Sequence, residues 1–202
     1  MDTFAAVVIL EELAAATRND PLLTLMEGHF QVQCMRLLND LGCTIQLATT
    51  ASGESLYWTS NTFDLAQRRH RIEDGSGDVT VVEPTEFCLE LKCWPDNGSK
   101  AQAAFGAAAG DLDRVAKDSS VIAIQAFESG AYASYEGAKL DRKPSLHKAD
   151  IVNFYTARDN LACDRVEVAA RNWRGTWLDA VFLKVMLPIG RHRFYVAATR
   201  PA

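Results

Sequence analysis

The 202-residue sequence contains no apolar run approaching the roughly 20 residues that a membrane span needs, so no membrane partner is predicted. It has no Cys-x-x-Cys pair, no proline-rich or low-complexity tract and no internal repeat. The five cysteines (Cys34, Cys43, Cys88, Cys93 and Cys163) are odd in number and sit among apolar residues, which predicts reduced, structural thiols in a cytoplasmic protein. None of the four histidines, His29, His70, His147 and His192, stands at ligand spacing from them, which argues against zinc. There is no Gly-x-Ser-x-Gly to seat a nucleophilic serine. The glycine-rich stretch GSGD at 75–78 follows no strand-to-helix step, which argues against a nucleotide-binding loop.

What is present describes an ordinary globular chain. Hydrophobic residues make up 48% and charged residues 23%, and a chain of this length buries roughly 70% of the surface its unfolded form exposes. A single domain over residues 1–202 is expected. The opening stretch, MDTFAAVVILEELAAAT, has Asp2 where a signal peptide has a basic leader and soon reaches Glu11 and Glu12. It reads as a helix over 3–17. Asn19 or Asp20 then caps a second helix with Pro21 in its first turn. Leu22, Leu25, Met26, Phe30, Leu37, Leu38 and Leu41 recur there at mostly three- and four-residue spacing, and Gly42 ends it. Strands are predicted at CTIQLAT, SLYWTS and TFDLAQRRHRI, then at DVTVV and FCLELKCW on either side of an EPTE turn. PDNG closes the last of these. An alanine-rich helix, SKAQAAFGAAAGDLDRVAKD, follows, then a buried strand, SVIAIQAF. Further strands are predicted at IVNFYTA, DRVEVAAR, AVFLKVML and RFYVAAT, the last two joined by a PIGRH turn. The strand–helix–strand passage after Trp94 requires a parallel pair, so the fold class is α/β with a central mixed sheet flanked by helices.

Charge is unevenly distributed. Residues 1–141 carry a net −11 and residues 142–202 a net +6, which together give the overall −5. The basic third holds Arg165, Arg171, Arg174, Lys184, Arg191 and Arg193, interleaved with Trp173, Trp177, Phe194 and Tyr195. A basic surface with aromatics suits a polyanion, and a solvated edge beside an ordinary core is the alternative. Trp58, Trp94, Trp173 and Trp177 suit either base stacking or core packing. Asp111 and Asp113 with Arg114, in GDLDRV, read either as a second acidic cluster or, ahead of that, as a helix turn in which the two acids face solvent.

The chemistry concentrates in GDVTVVEPTEFCLELKCW, residues 77–94. Alternate strand residues face opposite ways, so Phe87, Leu89, Leu91 and Cys93 form an apolar face. Glu90 and Lys92 share the other face with Cys88 and Trp94, roughly 6–7 Å apart. A simple hairpin through EPTE places Asp78 near Lys92 and Trp94, whereas a bulge or splay aims it at Glu90. Two carboxylates from neighbouring strands, with the Leu91 carbonyl as a third oxygen, are hard ligands of the kind Mg²⁺ takes. Such an ion activates water and neutralises charge on a phosphodiester, and an adjacent ammonium stabilises the transition state. A cross-strand ion pair of no catalytic consequence is the alternative.

Asp78 in GDVTVV and Glu90-Leu91-Lys92 in CLELK, with a long helix before them and a helix and buried strand after them, resemble the PD-(D/E)xK nuclease superfamily, the restriction-endonuclease-like fold. Gly77 stands where the name-giving proline would be. The resemblance covers about residues 20–128, as an αβββαβ core, and leaves 129–202 as a β-rich extension packed on it. It implies Asp78 and Glu90 as metal ligands with the Leu91 carbonyl, Lys92 as the catalytic lysine, and Glu27 in the preceding helix as a further metal ligand. Gln102 is similar in place to a glutamine of helicase-associated members. The implied activity is Mg²⁺-dependent (Mn²⁺ also suitable) hydrolysis of phosphodiester bonds, in DNA ahead of RNA, and a homodimer is an assembly compatible with the resemblance. Arg171, Arg174, Arg191 and Arg193 would then grip the phosphate backbone. The second expectation is a non-catalytic module on the same fold, serving as a protein- or nucleic-acid-binding subunit in a phage or mobile-element system.

Overall fold

The computed structural model describes residues 3–19, 27–49, 55–57, 78–83, 85–94, 98–128, 164–171, 175–187 and 192–201. Helix α1 spans Thr3–Asn19 and α2 spans Glu27–Asp40. Strands β1 (Thr44–Thr49), β2 (Ser55–Tyr57), β3 (Val79–Glu83) and β4 (Phe87–Trp94) follow. Helix α3 (Gly98–Lys117) leads into β5 (Val121–Glu128). The chain closes with β6 (Arg165–Arg171), β7 (Trp177–Met186) and β8 (His192–Thr199). The strands expected at 62–72 and 151–157, and the first turn of the second helix, lie outside the described residues. No helix among the described residues is long and apolar enough to cross a membrane.

All eight strands join one mixed sheet in the order β2-β1-β3-β4-β5-β8-β7-β6. The single parallel pair among them is β4 with β5, joined through α3 as the crossover argument requires. The odd-numbered residues of β4, Phe87, Leu89 and Leu91, enter one apolar cluster with α1, α2, Val79, Val81, Ile122, Ile124, Tyr195 and Ala197. On α1 the buried positions Ala6, Ile9, Leu10, Leu13, Ala14 and Thr17 recur at three- and four-residue steps, so a single stripe meets the sheet. Thr17 returns its hydroxyl to Leu13 O (2.8 Å) and also hydrogen-bonds the buried hydroxyl of Tyr195, tying α1 to β8.

Helix α3 covers the opposite face. Here the ladder sets small residues side by side: Ala123 of β5 opposite Ala198 of β8, and Ala198 opposite Ala180 of β7. Ala108 and Ala109 on α3 are equally small and fully buried. Small side chains on both surfaces let backbone approach backbone, so the buried Gln125 amide donates to Ala108 O at 2.9 Å. Residues 121–127 of β5 are buried throughout, as expected for a strand covered on both faces.

Helix α2 ends as its sequence foretells. Gly42 has φ of 82°, Cys43 N–H donates to Leu38 O (2.9 Å) and Gly42 N–H donates to Asn39 O (2.9 Å). This paired closure needs a left-handed residue at position 42. A Cβ there would meet nothing within 4 Å, so any cost of adding one is conformational. Gly42→Ala is expected to destabilise by about 1 kcal/mol. Gly110, inside α3 and equally unobstructed, should respond to Ala in the opposite direction, by up to about 1 kcal/mol. Urea unfolding of the two variants checks both signs.

Candidate functional site

Asp78 stands one residue before β3 and belongs to the edge of the β3–β4 pairing. Its N–H donates to Leu89 O (2.9 Å) and its Oδ2 accepts the Leu91 N–H (2.7 Å). The side chain therefore lies along β4 at Glu90–Leu91, short of the Lys92–Trp94 neighbourhood that a plain hairpin predicts. The reason is register. Val79 pairs with Leu89 and Val81 with Phe87, so the connection uses one residue more than the EPTE turn and draws Asp78 back along β4. The Gln31 side-chain amide, from α2, donates to Asp78 O and fixes the approach to the strand from the other layer.

Glu90 is only 5% exposed, in a strand flanked by β3 and β5. Its side chain points toward α3, and the Arg114 guanidinium, in the last turn of that helix, forms an ion pair with Oε1. Burial pushes the Glu90 carboxyl up to about 7. Arg114 opposes the rise, the Asp78 carboxylate adds to it, and Lys92 opposes it again. The four side chains thus share one electrostatic neighbourhood although they come from positions 78, 90, 92 and 114. Lys92 is half-buried on the Glu90 face and pairs in register with Gln125, whose amide is fixed to α3.

The residues expected to form the site accordingly divide. Asp78, Glu90 and Lys92 come together, with the Leu91 backbone between them. Glu27 opens α2 and Gln102 lies in α3, but their side chains are outside the described residues, as is the Trp94 side chain. Arg174 and Arg191 are also outside them. Arg171 is exposed, its Nε–H donating to Gly175 O (2.9 Å), next to the exposed Trp177 with which it pairs in register. Arg193 departs from expectation. It is 2% exposed and shares a strand face with Tyr195 and Ala197, so the alternation of β8 turns it into the apolar layer and away from any phosphate backbone. Phe194 and Tyr195 are buried as well, and Arg165 is taken up by Glu11 (2.7 Å) and Glu167. Among the described residues, only part of the basic, aromatic C-terminal third is therefore surface.

Two residues escaped the sequence reading, Gln31 and the role of Arg114. Gln31 stands four residues after Glu27, on the same helical face, and that spacing was its available signal. Arg114 sat within a turn expected to face solvent, and Asp113 beside it does carry a helix ion pair, with Lys117 at 2.7 Å. What separates the two is helical phase: Leu112 and Val115 are fully buried, so 114 lies at the border of the sheet-facing stripe.

The donor set is two carboxylates and a backbone carbonyl. Among the described residues no group of three or more His, Cys, Asp or Glu side chains converges as a metal site does. The set fits a hard ion that keeps most of its waters, such as Mg²⁺, and does not fit one that needs a cage of soft or nitrogen ligands. Cys34, Cys43, Cys88 and Cys93 are free thiols. Cys34, buried under the site, has its pKa pushed well up by burial and then by Cys93 and Asp78, which suits the structural role expected of it.

Comparison with protein-family models, with curated proteins and with solved structures gave no match to the chain.

The raised Glu90 carboxyl carries a sign for stability. Between the ordinary carboxyl value of 4.5 and about 7, the folded protein holds this proton more tightly than the unfolded chain does. Unfolding free energy should therefore fall as pH rises through that window and level off above it, by about 1–3 kcal/mol. Glu90→Gln removes the titration. In chelator, the variant should gain on the parent from pH 5 to pH 8, as read from urea midpoints at the two pH values.

Proposed function

We propose that the protein is a divalent-metal-dependent nuclease that hydrolyses phosphodiester bonds, in DNA ahead of RNA. One observation carries this reading: the Asp78 carboxylate meets β4 at Glu90–Leu91, with Lys92 one step along the same face. The order of elements supports it. Helix α2, the antiparallel set β1-β3-β4, helix α3 and the parallel strand β5 follow the αβββαβ succession of the nuclease superfamily that the sequence resembles, with β2 added outside β1. The restriction-endonuclease-like core belongs to this proposal.

In this reading Asp78, Glu90 and the Leu91 carbonyl hold Mg²⁺ or Mn²⁺, and Glu27 is the further candidate in α2. When bound, the ion lowers the cost of negative charge on the phosphate and makes water a better nucleophile. The chain's own groups do the rest. The register of β3 against β4 fixes the two carboxylates relative to each other before substrate arrives. Lys92 presents a compact positive charge beside them, where it orients the attacking water and stabilises the charge that builds on the phosphoryl oxygens. A P–O bond forms to the water oxygen, the ester P–O bond breaks, and the products are a phosphomonoester and a free hydroxyl. Arg171 and Trp177 offer an exposed cation and ring for backbone and base, with Arg174 and Arg191 as further candidates.

A non-catalytic module is the second reading, favoured by the fact that both acids already have protein partners: Leu91 N–H for Asp78 and Arg114 for Glu90. Purified protein with Mg²⁺ or Mn²⁺ should nick or degrade supercoiled, linear or single-stranded DNA. Lys92→Ala and Asp78→Ala should each lose about a hundredfold or more in rate. Equal background from parent and variants on all three substrates, with no rise in melting temperature on adding metal, would favour the module.

A further inference from the structure

A carboxylate as deeply set as Glu90 needs a counter-cation in the absence of metal, and the chain supplies Arg114. The position of that guanidinium is not accidental. The Gln125–Ala108 hydrogen bond anchors α3 to β5 six residues before Arg114, so the helix end is held over β4. The Arg114 side chain is nevertheless 39% exposed, so part of it meets solvent while its guanidinium pairs with the carboxylate. A second anion stands one turn on. Asp118 N–H donates to Arg114 O, and the exposed Asp118 carboxylate, set by Ser120 N–H (2.8 Å) and Oγ (2.7 Å), lies within electrostatic range of the guanidinium. Glu90 and Asp118 thus both act electrostatically on the Arg114 charge.

We propose that Arg114 is a positioning residue that holds the cation's place at Glu90 and moves toward Asp118 when a divalent ion loads. The inference rests on the metal-site reading above. A guanidinium and a divalent ion compete for the same carboxylate oxygen, and the helix end offers the displaced one an acceptor already oriented by Ser120. Arg114 keeps Glu90 aimed in the unloaded protein and sets the affinity at which metal enters.

The test is a Mg²⁺ titration of isotope-labelled protein followed by NMR, reading the Arg114 side-chain Nε–Hε signal together with the carboxyl carbons of Asp78 and Glu90. All three should move with one saturation midpoint. Arg114→Gln, which removes the charge and keeps a polar head, should bind Mn²⁺ roughly five- to tenfold more tightly by calorimetry, tenfold being about 1.4 kcal/mol. Asp118→Asn should weaken Mn²⁺ binding in the parent and leave it unchanged in Arg114→Gln. That dependence separates exchange from a general effect of charge. Carboxyl signals that move while Arg114 stays fixed would overturn the inference and leave the metal site standing. If none of the three moves, both fall. The NMR arm uses the parent protein, so it decides even if Arg114→Gln fails to fold.

Discussion

A negative charge inside a sheet is the constraint around which this molecule is arranged. Strand β4 has β3 on one side and β5 on the other, and both of its faces lie under helices. An ionised carboxylate at position 90 has little access to water there, and burial raises its pKa accordingly. Each neighbouring element answers that charge. Helix α3 ends where Arg114 can reach it, and Lys92 stands on the same strand face. Asp78, of like sign, works against both. Replacing a buried ion pair as a whole by apolar residues is often neutral or stabilising, whereas a leucine at position 90 alone would remove the desolvation cost and also take this partner from Arg114.

Close packing makes the arrangement possible. The alanines across β5, β8 and β7 form a flat floor, and the alanines of α3 settle on it. The helix axis then lies near enough for the Gln125 amide to bond a helical carbonyl. Larger residues at Ala108 or Ala123 would lift α3 and carry Arg114 away from Glu90. On the opposite layer, Gln31 reaches from α2 to the Asp78 carbonyl. The two acids are thus positioned from different sides of one sheet, and packing errors in either layer would be felt between them.

Much of this was legible in the chain. The stripe of α1, the glycine stop at 42, the alternation along FCLELKCW and the strand–helix–strand crossover all follow from local pattern, because each depends on residues close in sequence. So does the separation of Glu90 and Lys92 from the apolar face. The exact meeting of Asp78 with Glu90 was left open, since one residue in the β3–β4 connection decides which strand position it reaches. Arg193 misled for a related reason: a basic residue in a basic segment reads as surface until the partners of β8 are known. Arg114 was the hardest to see, because its partner lies 24 positions away and only the packing of α3 brings them together.

The hydrogen-bonded ladder does not stop where the resemblance does. β5 continues through Ala123–Glu128 into β8, and β8 into β7, so the strand carrying the buried glutamine has its second edge closed by chain from beyond residue 190. A fragment ending at Glu128 would bare that edge, together with the floor on which α3 rests. Strands β8 and β7 therefore act as a retaining wall for β5, covering an edge that the resembling segment by itself would leave open.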